Sequence, residues 1–276
     1  DGVPATASKW LMTDVLRKDW GFNGFVVTDY TGISEMVDHG IGDLQTVSAR
    51  ALDAGIDMDM VSEGLQTLGK SLQEKKVTQA HIDQACRRVL EAKYKLGLFA
   101  DPYKYCDVNR AKSEIYTAEH RAVARKIASE SFVLLKNADN TLPLKKQGTI
   151  AVVGPLANTR SNMPGTWSVA VDLTKPATVI EGIQAVAGDK AKVVYAKGSH
   201  LIADAAYEER ATLFGRTLNR DQETRSNEEL LKEALDISKN ADVIVAALGE
   251  SSEMSGESSS RTELDIPDVQ KELLKE

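Results

Sequence analysis

The sequence predicts an α/β fold in which short parallel strands are covered by helices. Three observations carry that reading. The run Phe25, Val26, Val27, Thr28 and the run Thr149–Val153 have the apolar, β-branched composition of buried parallel strands. Between such runs, apolar residues recur at the three- and four-residue spacings of amphipathic helices. The two patterns alternate along the chain, as they do where helices connect the strands of a parallel sheet.

Taken in order, residues 6–19 read as a helix, with Leu11 and Val15, then Met12 and Leu16, recurring along one face before Gly21. Asn23 and Gly24 turn the chain into the strand of Phe25 to Thr28. A helix follows with Leu44, Val47, Ala51 and Ala54 on one face, closed by Gly55. Residues 56–61 form the next strand candidate, Ile56, Met58 and Met60 alternating with Asp57 and Asp59. Helices are expected around Leu65, Leu68 and Leu72, and again from Thr78, where Ile82, Ala85, Val89, Ala92 and Leu96 lead to Gly97. From about Phe99 the pattern breaks into the aperiodic, aromatic stretch around Tyr103 and Tyr105. This divides the chain into 1–102, a linker at 103–119, and a second α/β region at 120–276. That second region is expected to open with a helix around Val123 and Ile127. Strands follow at 132–135, Thr149–Val153, Lys192–Ala196 and 243–248. A polar insert at 203–225 ends in Ser226, Asn227, Glu228 and Glu229, the signature of a capping box.

Composition narrows the functions. The 276 residues are enough for one large domain or two ordinary ones, so no metal or disulfide staple is needed for a core. A net charge of −7 without long basic runs argues against nucleic acid and anionic membranes as partners. No apolar run approaches the roughly 20 residues of a spanning helix, so membrane insertion is not expected. Cys86 and Cys106 cannot make a disulfide scaffold or a four-cysteine zinc site. Nucleophile elbow, zincin, P-loop and dinucleotide-binding motifs are all missing. His39, His81, His120 and His200 stand singly on polar stretches and read as solvated surface residues. No metal or cofactor is implied.

Carboxylates carry the remaining chemistry. Asp29 lies where a buried strand runs out into a loop, the end at which parallel sheets build active sites. The competing reading is that Asp29 caps the following turn. Asp57 and Asp59 sit on the next strand between methionines and are expected to make internal hydrogen bonds. A second acidic group follows the last strand, where Glu250, Glu253 and Glu257 share a small-residue loop with Arg261. On its own that loop reads equally as a solvated surface segment. One carboxylate in each of two α/β regions is the equipment for glycoside cleavage, one attacking or stabilising the anomeric carbon and the other moving a proton.

The residues also carry a resemblance. The run Asp1, Gly2, Val3, Pro4, Ala5, Thr6 and the run from Trp20 to Tyr30 resemble the nucleophile segment of the family 3 glycoside hydrolases. Val133, Leu134, Leu135, Lys136 and Asn137, then Leu142, Pro143 and Leu144, then Ile150 to Pro155 are similar to the opening of that family's second domain. Gly165 to Ser168 and Glu257 to Thr262 are most similar to its periplasmic β-glucosidase branch.

The resemblance implies the C-terminal part of a TIM-like barrel followed by the N-terminal part of an α/β sandwich domain, neither complete, as in an internal part of a longer enzyme. It implies that Asp29 is the nucleophile and that Tyr30, where other members have Trp or His, faces the sugar. Glu257, in the run E-x-S-S-R-T, is the implied acid/base, with Glu253 in reserve and Glu250 shaping the loop. Trp167 is a candidate aromatic wall for the substrate, or else an interdomain packing residue.

The implied activity is retaining hydrolysis of β-glucosides. A β-xylosidase or exo-glucanase on the same scaffold, or a non-catalytic carbohydrate-binding relative, are the alternatives. Retention requires carboxyls roughly 5–5.5 Å apart, so the loop of Glu257 is expected beside Asp29. The partner would be an oligosaccharide or β-glycoside, the location periplasmic or secreted, and a homodimer is compatible with it.

Overall fold

The structure, a computed structural model, describes residues 2–165, 168, 171–210, 223–257 and 259–276. The chain divides into two units, Asp1–Phe132 and Val133–Glu276, each with its own core.

In the first unit the expected helix at 6–19 is split into a single turn, Ala5–Ala7, and a wide helix, Trp10–Asp19. The wide helix closes with the Trp20 N–H donating to Val15 O at 3.0 Å, five residues back, as in a π-type winding. The Leu44–Ala54 helix starts where the Asp43 carboxylate accepts the Thr46 N–H at 2.8 Å, and stops at Gly55 with φ +112°. Its two apolar faces serve two clusters. Val47 and Ala51 pack with Ile33, Met36 and Ile56, while Ala49 and Leu52 pack with Val77 and Ala85. Ala85 comes from the Gln79–Lys95 helix, which Thr78 caps.

The two predicted strands of this unit meet in parallel. Thr28 N–H donates to Met58 O at 3.0 Å, and the N–H groups of Asp57 and Met58 donate to Val26 O at 2.9 and 3.1 Å. Among the described residues this pairing narrows to a bridge, Val27 with Met58, and no closed barrel is seen. A barrel strand needs a neighbour on each side to extend its ladder, and here each has only the other.

The second unit is built on three parallel strands, β1 (Thr149–Val153), β2 (Lys192–Ala196) and β3 (Val243–Ala246), in the order β2-β1-β3. In register, Ile150 faces Val193 on one side and Val243 on the other. The helices Val179–Ala187 and Asn227–Ser238 lie in the two crossovers, and each begins with a complete capping box, Thr178 with Glu181 and Ser226 with Glu229. Ile150 and Val152 pack against Ala157 and Ile183, while Val153 and Ala196 pack against Ala234 and Leu273. Alternate residues of the central strand thus feed different clusters.

The expected strand at 132–135 does not form. Phe132, Val133, Leu134 and Leu135 are 81, 78, 66 and 91% exposed, and among the described residues no strand lies beside this strand-like run. The last strand also ends at Ala246 rather than at 248. Ala247 N–H still reaches Val153 O at 2.8 Å, but Gly249, with φ +144°, then turns the chain away.

Candidate active site

Thr28 fixes the strand exit that carries Asp29. Its side chain is buried, accepts the Met60 N–H at 3.1 Å and donates to Asp29 O at 2.8 Å, so the hydroxyl ties the two parallel segments where they separate. Asp29 and Tyr30 beyond it are exposed. Asp29 lines a cleft of about 240 Å³ together with Thr28, Gly32, Glu35, Met36 and His39. Glu35 escaped the sequence reading, whereas His39, read there as a solvated surface residue, is exposed at this cleft. The two stand four residues apart, Glu35 at the start of the short Glu35–Asp38 helix and His39 at its C-cap.

The neighbouring strand shows what the other carboxylates do. Asp57 makes the internal bonds expected of it. Its Oδ2 accepts from Arg17 at 2.6 Å and from Val26 N–H at 2.8 Å, and its Oδ1 accepts from Arg88 at 2.8 Å. Burial pulls the Arg17 guanidinium down from its ordinary value, opposed by the charge of Asp57 and assisted by Arg88. Asp59 departs from expectation, because both its oxygens are buried without a hydrogen-bond partner among the described residues. The arginines that satisfy Asp57 do not bond to it, although both aspartates have the same alternation. Of the histidines expected in solvent, His200 is bound, its Nε2 lying 2.8 Å from Arg225 O. His81 Nδ1 is buried without a partner among the described residues.

In the second unit the acidic loop sorts its glutamates by partner. Glu250 is held by the Arg261 guanidinium, which also donates to Asp265 O at 2.7 Å. Glu253 has Oε1 buried without a hydrogen-bond partner among the described residues, while its backbone oxygen accepts from Ser259 Oγ at 2.5 Å. Glu257 is exposed. The loop is tied at Ser252, whose N–H donates to Asn162 Oδ1 at 3.2 Å. Trp167 lies outside the described residues. Among the described residues no three His, Cys, Asp or Glu side chains converge as a metal site requires, and no helix is long and apolar enough to cross a membrane.

Two family profiles match the chain. The Glycosyl hydrolase family 3 N terminal domain matches residues 1–92, and the Glycosyl hydrolase family 3 C-terminal domain matches residues 132–276. The chain belongs to glycosyl hydrolase family 3. Within that family it is 43% identical to the periplasmic beta-glucosidase of Salmonella typhimurium, over 99% of this chain and 36% of that protein. It is 32% identical to a beta-xylosidase of Formosa agariphila, over 99% of this chain and 37% of that one. Among solved structures it is similar to a beta-glucosidase from Listeria innocua in complex with glucose, with TM-score 0.77 and 31% identity, over all of this chain and 34% of that one. The chain therefore spans about a third of the length of the relatives it matches.

Proposed function

We propose that this family 3 chain carries the catalytic carboxylates of a retaining β-glucosidase that releases terminal β-D-glucosyl residues. Ionised Asp29 attacks the anomeric carbon through an oxocarbenium-like transition state while protonated Glu257 donates to the departing oxygen. Glu257 then takes a proton from water, which hydrolyses the glycosyl-enzyme and frees Asp29. Tyr30 and Trp167 offer aromatic faces to the sugar. No step requires a cofactor.

One observation carries the reading. Asp29 stands exposed in a cleft at the strand exit, whereas Asp57 on the paired strand is fully engaged by two arginines and a backbone N–H. Supporting it, Glu250 is occupied by Arg261 while Glu257 stays exposed on the same loop. A periplasmic or secreted location is proposed with it, on the name of the Salmonella relative.

The test is trapping of the full-length gene product with a 2-deoxy-2-fluoro β-glucoside, followed by peptide mass spectrometry. The expected result is a covalent sugar on the peptide containing Asp29. Turnover without label, or a label elsewhere, overturns the assignment. The similarity to a beta-xylosidase favours one second reading, pentoside hydrolysis by the same two carboxylates. Faster turnover of an aryl β-xyloside than of the matching β-glucoside would select it.

A further inference from the structure

We infer that Gln270 is a positioning residue for the loop that carries Glu250, Glu253 and Glu257. The inference rests on the proposal that Glu257 is the acid/base. Glutamine is a residue type that is mostly exposed, yet Gln270, in the first turn of the Asp268–Lys275 helix, has no exposed surface. Its amide is fully used. Nε2 donates to Leu201 O at 2.7 Å and to Gly249 O at 2.9 Å, while Oε1 accepts the Gly249 N–H at 2.8 Å.

Those contacts replace a sheet ladder where the sheet has stopped. β3 ends at Ala246, and Gly249 at φ +144° no longer presents its N–H and C=O to a strand neighbour. One side chain satisfies both groups, and joins them to Leu201, in the segment that follows β2. The clamp is itself anchored, because Leu273 of the same helix packs with Val153, Ala196 and Ala234. A β-carbon on Gly198 would stand 2.7 Å from Leu273 Cδ2, so the helix sits tightly against this turn. Glu250 follows Gly249 directly, and the loop is tied further on by Arg261 to Glu250 and by Asn162 to Ser252. Gln270 therefore fixes the point from which the acidic loop departs. A fully satisfied buried polar network has a single arrangement and transmits little slack.

The test uses the full-length gene product and two substrates. Phenyl β-glucoside needs its leaving oxygen protonated, whereas 2,4-dinitrophenyl β-glucoside departs without help. With the acid displaced, Gln270→Met is expected to lower kcat/KM for the first by about ten- to a hundredfold and for the second by less than about threefold. Gln270→Glu has the same shape, keeps the acceptor for the Gly249 N–H and loses both donors. It is expected to show the same split, shrinking as pH falls and the carboxyl regains a proton to donate, and it decides the matter if Gln270→Met does not fold. Equal losses on both substrates, or no loss on either, overturn the inference. Glu257→Ala serves as the reference and should show a larger split. If it shows none while Gln270→Met does, the acid is another residue of the loop, and the positioning role of Gln270 stands.

Discussion

The carboxylate of Asp57 lies 2.6 Å from the guanidinium of Arg17, with the two side chains 1% and 9% exposed. Arg17 also donates to Gly24 O and Gly55 O, each at 2.9 Å, and Arg88 approaches Asp57 from the Gln79–Lys95 helix. One buried carboxylate thus ties two helices to the strand that leads to Asp29. Removing it leaves two guanidinium groups without their counter-charge, one of them buried, so Asp57→Ala is expected to cost about 3–5 kcal/mol of stability. Asp29→Asn, at an exposed position, should change stability by no more than about 0.5 kcal/mol while abolishing turnover. Urea unfolding of both variants beside the parent checks the contrast, and an equal loss in the two would contradict it.

Gly32 leaves room for the Asp29 carboxylate. A β-carbon built there would stand 2.6 Å from Asp29 Oδ1, so Gly32→Ala must swing that side chain aside. A misplacement on the order of 1 Å at a reacting group can cost about a hundredfold in rate. The expected outcome is a kcat lowered by about ten- to a hundredfold with the melting temperature nearly unchanged. Steady-state kinetics beside a thermal melt would decide it, and unaltered kcat would count against the placement of Asp29.

Gly154 marks a close approach of two backbones. Its φ is +111°, and a β-carbon there would stand 2.3 Å from Ala247 O, a backbone atom that cannot swing away. Gly154→Ala therefore combines a left-handed conformation, costing about 1–3 kcal/mol, with displacement of the segment following β3. Loss of cooperative unfolding, or a stability loss beyond that range, is the expected result in denaturant titration.

Glu223 gives the second unit an acid-sensitive tie. Its hydrogen bonds from the Arg225 side chain hold its carboxyl well below the ordinary 4.5, at about 2, against the opposing effect of burial. Because the folded value lies below the unfolded one, the stabilisation is present above about 4.5 and lost as pH falls toward about 2. Glu223→Gln is expected to flatten the pH dependence of the melting temperature across that window. A variant with the parent's slope would show that the tie does not contribute.

The α/β class, β1, β2, the helices around Leu44 and Gln79 and the capping box at Ser226 were legible because their signals are local. Periodicity, caps and glycine stops act over a few residues, so neighbours in sequence suffice to read them. The run at 132–135 misled for the complementary reason. Its composition suits a strand, but a strand exists only where another lies beside it.

The candidate site divides in the same way. Asp29 and the acidic loop could be picked out from strand ends and motif order within the sequence. The different fates of Asp57 and Asp59 could not, because alternation treats them alike and the arginine nearest Asp57 comes from forty positions away. Motif order separated Glu257 from Glu250, but that Arg261 folds back onto Glu250 became visible only in the structure. Gln270 carried no local signal at all, since a polar residue in a first helical turn is ordinarily solvated. Sequence by itself determined which residues are able to form strands, helices and a pair of acidic clusters. Only the tertiary structure decided which polar groups are engaged and which are left exposed, because hydrogen-bond and ion-pair partners are set by packing between segments distant in the chain.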